Sequence, residues 1–372
     1  MRTAVHRIAL AGVLAASLYG VMAAVYGKTP WLGFGAAARS ADAPQPTFVV
    51  SGLMGLDGEW IALSDIDDAG RIAGSASDRG QQRAVIWDNG RIVDLATPAD
   101  RSSRSVAVGA GGCVVGTLTD PAGEYIHAAF LRDPGGQMFL LEARTAVADA
   151  RCDVWGMNDL GQVVGCVRLA DDTWEPAVWD RRGAVTTLGV SPGCARDINN
   201  SGQIAGYVGS GPAERAAVWE SQGDGRYALT WLALASAGSS RAVAINDAGT
   251  AVGRAFGSGD GGLWAFTYDR ETGMRELPRL GATDVSWACD ISDTGWIVGC
   301  AVTANGPRAV LWIGDRAIDL NDCIDPMSSW ELTVAAAVND LGDIIGRGLF
   351  ADEDGSSFVL RPEWIGDGTG GA

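Results

Sequence analysis

One nine-residue pattern, apolar–Asn/Asp–x–x–Gly–x–apolar–apolar–Gly, recurs seven times along this chain. It begins at Ile66, Val108, Met157, Ile198, Ile245, Ile291 and Val338, at intervals of 42, 49, 41, 47, 46 and 47 residues. Such a period marks an architecture in which one supersecondary unit is copied and stacked. The pattern itself reads as a hairpin. In Ile245-Asn246-Asp247-Ala248-Gly249, Asn opens a type I turn and Gly249 supplies the left-handed residue that closes it. The Asn side chain bonds nearby backbone in such a turn. The second repeat diverges most, with Gly109-Ala110-Gly111-Gly112 in place of the polar turn.

A third apolar run follows each hairpin, for example Ala84-Val85-Ile86-Trp87 and Ala216-Ala217-Val218-Trp219. A polar turn such as Asp88-Asn89-Gly90 leads to a fourth short run, Ile92-Val93-Asp94-Leu95. Four antiparallel strands in about 46 residues are the content of one propeller blade. The seventh unit has three strands and stops near Trp364. Thr47-Phe48-Val49-Val50, ahead of the first unit, is expected to supply the missing strand, joining the chain's ends and removing free sheet edges. The predicted fold is therefore all-β, a seven-bladed β-propeller over residues 46–366, with a flexible tail at 367–372. An open solenoid would need distinct terminal caps, and the sequence offers none.

The stretch from Ile8 to Tyr26 carries no charge, follows Arg2 and Arg7, and precedes Lys28. Residues 1–28 read as a signal peptide or a signal-anchor helix, and residues 29–45 as a linker rich in Ala, Ser and Pro. Basic residues ahead of the segment place the body outside. The expectation is an exported protein, periplasmic or extracellular, anchored to the inner membrane by residues 8–26 if the segment is not cleaved.

The repeats resemble those of the HAF-repeat family of extracellular bacterial repeat proteins. Ile198-Asn199-Asn200-Ser201-Gly202-Gln203-Ile204-Ala205-Gly206 is similar to the family's hairpin. His127-Ala128-Ala129-Phe130 is similar to its name-giving strand, with one extra Ala. Arg83, Arg215 and Arg308 stand where that family has His. The resemblance spans nearly all of residues 47–362. It implies an exported propeller, and it implies no established activity, so no functional residue is carried over.

Composition narrows the chemistry. The chain has 28 Lys+Arg against 45 Asp+Glu, a net charge of −17, which argues against nucleic acid and anionic lipid as partners. Lys28 is its one lysine, and of its two histidines His6 lies in the leader, leaving His127. There is no Gly-x-Ser-x-Gly elbow and no phosphate-cradling Gly-Lys loop. No cofactor is implied. Asp65-Ile66-Asp67-Asp68-Ala69-Gly70 lacks the closing acid of a calcium loop and is read as a structural turn, so no metal site is expected.

Three further features carry candidate chemistry. Asp65, Asp197 and Asp290 each precede the first motif residue, and equivalent positions converge on a propeller's axis. They are read as bonding neighbouring backbone, with acid–base work or a cation site as the alternative. Seven cysteines in an exported chain suggest disulfides, and hairpin pairing points to Cys152–Cys166 and Cys289–Cys300; small buried core residues are the alternative. Finally, tight turns gather at one end of the propeller and longer loops at the other. The long-loop end carries Trp60, Arg104, Tyr125, His127, Trp174, Arg241, Trp287 and Trp330, residues suited to anchoring a ligand. The expected function is a non-catalytic, monomeric binding module of the bacterial cell envelope, taking an envelope protein or a polysaccharide. The alternatives are a polysaccharide hydrolase or lyase using Asp197 and Asp290, and a purely structural envelope component.

Overall fold

A computed structural model describes residues 45–56, 61–120, 126–141, 151–223, 225–233, 236–257, 262–281, 285–351 and 353–363. The leader or anchor at 1–28, most of the linker and the tail lie outside the described residues, as do Trp60, Tyr125 and the side chain of His127. No helix among the described residues is long and apolar enough to cross a membrane.

The body is a seven-bladed propeller of four-stranded antiparallel sheets, as the repeats predict. Blades 1 to 6 span residues 61–94, 102–141, 152–187, 193–231, 237–276 and 286–319. Blade 7 is built from residues 330–362 and receives its outermost strand, Phe48–Gly52, from the start of the domain. Phe48 pairs with Pro362 and Val50 with Leu360, so the two ends of the propeller are locked in one sheet.

Blades pack face to face through apolar side chains. The third-strand tryptophans Trp87, Trp179, Trp219 and Trp312 are at most 3% exposed. The last motif glycine makes room for them. At Gly206, an added Cβ would overlap the Cys194 carbonyl and sit 3.1 Å from the Trp219 ring. The turn glycine serves the hairpin instead. Gly202 adopts φ +77° and its N–H donates to Asn199 O, which closes the turn.

The polar turn residues fasten each blade to the next. The Asn199 side chain accepts from Gln203 N within its own turn and donates through Nδ2 to Asn246 O of the following blade, at 2.9 Å each. Asn158, Asn246 and Asn339 reach the next blade in the same way. One residue further on, a second ring forms. The amides of Ala110, Asp159, Asn200, Asp247, Asp293 and Asp340 each donate to the side-chain oxygen of the equivalent residue one blade ahead, at 2.6–3.0 Å. The ring is open at one step, because Ala110 of the divergent second repeat has no oxygen to offer Asp68. There the Asp65 carboxylate takes Val108 N at 2.8 Å and the Ser64 hydroxyl donates to Ser105 O at 2.9 Å.

Two outcomes test this account. Gly206→Ala is expected to lose roughly 1–3 kcal/mol of stability through overpacking, measured by denaturant unfolding. Asn199→Ala strands the buried Asn246 carbonyl and the part-buried Gln203 amide together, and is expected to lose about 2–4 kcal/mol in the same assay.

Candidate functional site at the long-loop end of the channel

The innermost strands of all seven blades carry a bulge at one equivalent place. Register slips between Leu63 and Asp65, Ser105 and Ala107, Val154 and Gly156, Ala195 and Asp197, Ala242 and Ala244, Ala288 and Asp290, and Ala335 and Ala337. A bulge leaves one residue out of the ladder and re-aims its side chain. The bulged residues are Ser64, Val106, Trp155, Arg196, Val243, Cys289 and Ala336. All but Val106 are partly exposed although they lie at the centre of the molecule, which places them on the axial channel. Two residues nearer the long loops stands a second tier: Ala62, Arg104, Asp153, Cys194, Arg241, Trp287 and Val334.

These tiers are chemically lopsided. Blades 7 and 1 present Ala336, Ala62 and Ser64. Blades 2 to 5 present guanidiniums and aromatic rings. The Arg196 guanidinium lies 3.6 Å above the centre of Trp155, and Arg104 lies 5.5 Å from the same ring. Arg241 sits 4.6 Å over Tyr207 and forms two 2.5 Å bonds to Glu214. Arg104 donates to Thr117 Oγ1 at 3.0 Å and lies 3.5 Å from Asp153. Arg254 pairs in register with Arg241 across the blade-5 hairpin. Burial, then the neighbouring Arg241 and Arg196 charges, push the Arg254 guanidinium down to about 10, so it remains a cation at neutral pH.

Toward the tight turns lie the three aspartates singled out in the sequence. Asp65, Asp197 and Asp290 each take the amide that follows in their own strand and one from the next blade: Val108, Ile245 and Val338. These residues are partly exposed, yet protein surrounds their carboxylates. Burial raises Asp65 well above the usual carboxylate range, and pushes Asp197 up to about 7 and Asp290 up to about 6. Each carboxylate therefore fastens two blades, with its oxygens already committed to backbone.

Of the candidates drawn from the sequence, Arg104 and Arg241 belong to this cluster. Trp287 stands in the same tier but is only 3% exposed, packed with Leu263 and Cys300. Trp330 packs within blade 7, its ring centroid 5.0 Å from Phe350 and 6.1 Å from Phe358. Trp174 lies at the start of a third strand, paired with Arg168 and half-buried. Trp155, Arg196, Tyr207 and Arg254 are not among those candidates. Their signal is faint: Trp155 and Arg196 occupy a position that holds Ser, Val, Cys or Ala in the other repeats.

The expected disulfides are not formed; all seven cysteines are free thiols. Asp153, not Cys152, pairs with Cys166, so Cys152 and Cys166 point to opposite faces of the sheet. Trp287 pairs with Cys300, while Cys289 is the bulged residue. The close pair is one that hairpin logic could not find: Cys194 Sγ lies 3.2 Å from Cys166 Sγ on the neighbouring blade. Burial pushes the thiols of Cys152 up to about 11 and of Cys289 up to about 12, which keeps them protonated.

No family model and no curated protein matches this chain. Solved structures do. Puromycin hydrolase superposes with a TM-score of 0.54 at 16% identity over 78% of this chain, which spans about half the length of that enzyme. Streptogramin B lyase gives 0.51 at 10% identity, over 85% of this chain and 98% of the lyase. YCF48 bound to D1 peptide gives 0.51 at 14% identity, over 87% and 96%. Likenesses this distant establish the fold alone.

Two measurements check the channel's chemistry. Oxidation of the folded protein with a small disulfide reagent is expected to link Cys166 to Cys194, as read by peptide mapping; a Cys152–Cys166 or Cys289–Cys300 link would contradict the register. The folded value of Asp197, about 7, lies above its unfolded value of 3.8. Its contribution to stability is therefore full below the unfolded value and is lost as pH rises through the folded one. Lowering the pH from about 8 to about 5 is expected to raise the melting temperature of the wild type relative to Asp197→Asn.

Proposed function

We propose that this protein is an exported, non-catalytic binding propeller of the bacterial cell envelope that takes its ligand at the long-loop end of the axial channel. The observation that carries this reading is the contrast between the channel's two ends. At the tight-turn end the turn asparagines and aspartates close on one another and on the backbone, blade to blade. At the long-loop end, buried polar groups are left over: Arg104 Nη2, Arg254 Nε, Trp155 Nε1 and Asp153 Oδ1 have no hydrogen-bond partner. Buried polar groups are normally satisfied, so exceptions call for an explanation, and a ligand received at this end of the channel is the one proposed.

Committed groups support a binding role over catalysis. The acid–base alternative rests on Asp197 and Asp290, whose oxygens are held by amides of two blades. The raised thiols of Cys152 and Cys289 offer no thiolate at neutral pH. The fold is shared by a hydrolase, a lyase and a peptide-bound protein, so it favours none of these activities by itself. Export rests on the uncharged stretch from Ile8 to Tyr26 and on the HAF-repeat resemblance, and the proposed partners are an envelope protein or an envelope polysaccharide.

Thermal shift of the purified chain against envelope polysaccharides and peptidoglycan fragments tests the proposal. A ligand at a hundredfold excess over its Kd stabilises the folded state by about 2.7 kcal/mol. A saturable rise that is lost in Trp155→Ala is the expected result. Consumption of the ligand with product release would assign an enzyme instead.

A further inference from the structure

The channel cluster has the composition of an anion site. Arg104, Arg196, Arg241 and Arg254 come from blades 2, 4 and 5, and among the described residues Asp153, Asp197 and Glu214 are the opposite charges near them. Glu214 is consumed by Arg241, and Asp153 lies 3.5 Å from Arg104. Arg196 and Arg254 have no ion-pair partner among the described residues. The Arg196 guanidinium lies over the Trp155 ring and that of Arg241 over the Tyr207 ring, which limits the movement of both forks. Arg254 is close enough to both for their charges to oppose its own. Gathering like charges at a half-buried site costs stability. Of the buried groups left without a hydrogen bond here, Arg104 Nη2, Arg254 Nε and Trp155 Nε1 are donors and Asp153 Oδ1, 3.5 Å from Arg104 Nη2, is an acceptor, so donors outnumber acceptors. A ligand that fits must bring acceptors and negative charge. The chain as a whole, at −17 net, gives no general reason for a cationic channel.

We propose that the long-loop end of the channel binds a doubly charged oxyanion group of the phosphate or sulfate type, held by Arg196 and Arg254 with Arg241 and Arg104 at its flanks. Planar guanidinium forks match such oxyanions in a bidentate manner. The small residues opposite, Ala62, Ser64 and Ala336, leave the remainder of the ligand on the other side of the channel. This assignment rests on the proposed binding role and names the charge that role would recognise.

Calorimetric titration of the full chain with inorganic phosphate and with sulfate, at constant ionic strength set by chloride, provides the test. Saturable binding of either anion with one site is expected, together with a change in tryptophan emission as Arg196 shifts on Trp155. Arg196→Gln and Arg254→Gln are each expected to weaken that binding tenfold or more. Arg254→Gln is also expected to raise the melting temperature without anion, since it removes an unpaired buried cation. A structural arginine would behave in the opposite way. Anion affinity unchanged in both variants, or no saturable binding of phosphate or sulfate, overturns the assignment. If an uncharged oligosaccharide then binds wild type and Arg254→Gln equally, the binding role stands while the oxyanion falls. If neither anions nor envelope ligands bind, both fall.

Discussion

The propeller depends on the side chain of its turn asparagine. A blade is a sheet whose two faces are apolar, and face packing alone would let neighbouring blades slide. The turn Asn removes that freedom by using both ends of its amide. Its oxygen ties its own hairpin, as Asn199 does with Gln203 N, and its nitrogen ties the next, as Asn199 does with Asn246 O. A hydrogen bond into a buried carbonyl is costly to lose, so the link fixes the height and rotation of the four blades that carry Asn158, Asn199, Asn246 and Asn339 on their neighbours. The second ring, running from Ala110 through Asp159 and Asn200 to Asp340, repeats the device one residue further out.

Because the turn end holds the ring together, the opposite end is released from structural duty. The bulge shared by all seven innermost strands is the hinge of this division. On its turn side, Asp65, Asp197 and Asp290 extend the fastening. On its loop side, side chains differ from blade to blade and can be chosen for recognition. Arginines and rings gather on blades 2 to 5, and alanines and a serine face them. The protein tolerates a cluster of like charges there because the stability it costs is supplied elsewhere.

Much of this is legible in the repeats. The glycine and asparagine spacings specify seven hairpins, and the incomplete last unit requires a strand from ahead of the first one, read at Thr47–Val50 and found at Phe48–Gly52 in blade 7. Arg104 and Arg241 are candidates because they lie near the long loops. Trp287 and Trp330 are candidates on the same ground, yet Trp287 is packed inside and Trp330 packs within blade 7. Residue type and loop position cannot separate an aromatic that faces solvent from one that fills a blade. The cysteines show the same limit. A one-residue step along a strand changes the face, so Cys152 and Cys166 part company, while Cys166 meets Cys194 on another blade.

The sequence by itself determined the repeat, its hairpins, the number of blades and the way the ring closes, because these follow from local spacing and from the need to pair every edge. Only the tertiary structure decided which side chains share the channel. Those neighbours, Arg196 over Trp155 and Arg254 beside Arg241 and Arg196, arise from a bulge and from blades meeting around an axis. Side-chain direction after a bulge and proximity across blades are properties of the assembled ring, and no periodicity along the chain encodes them.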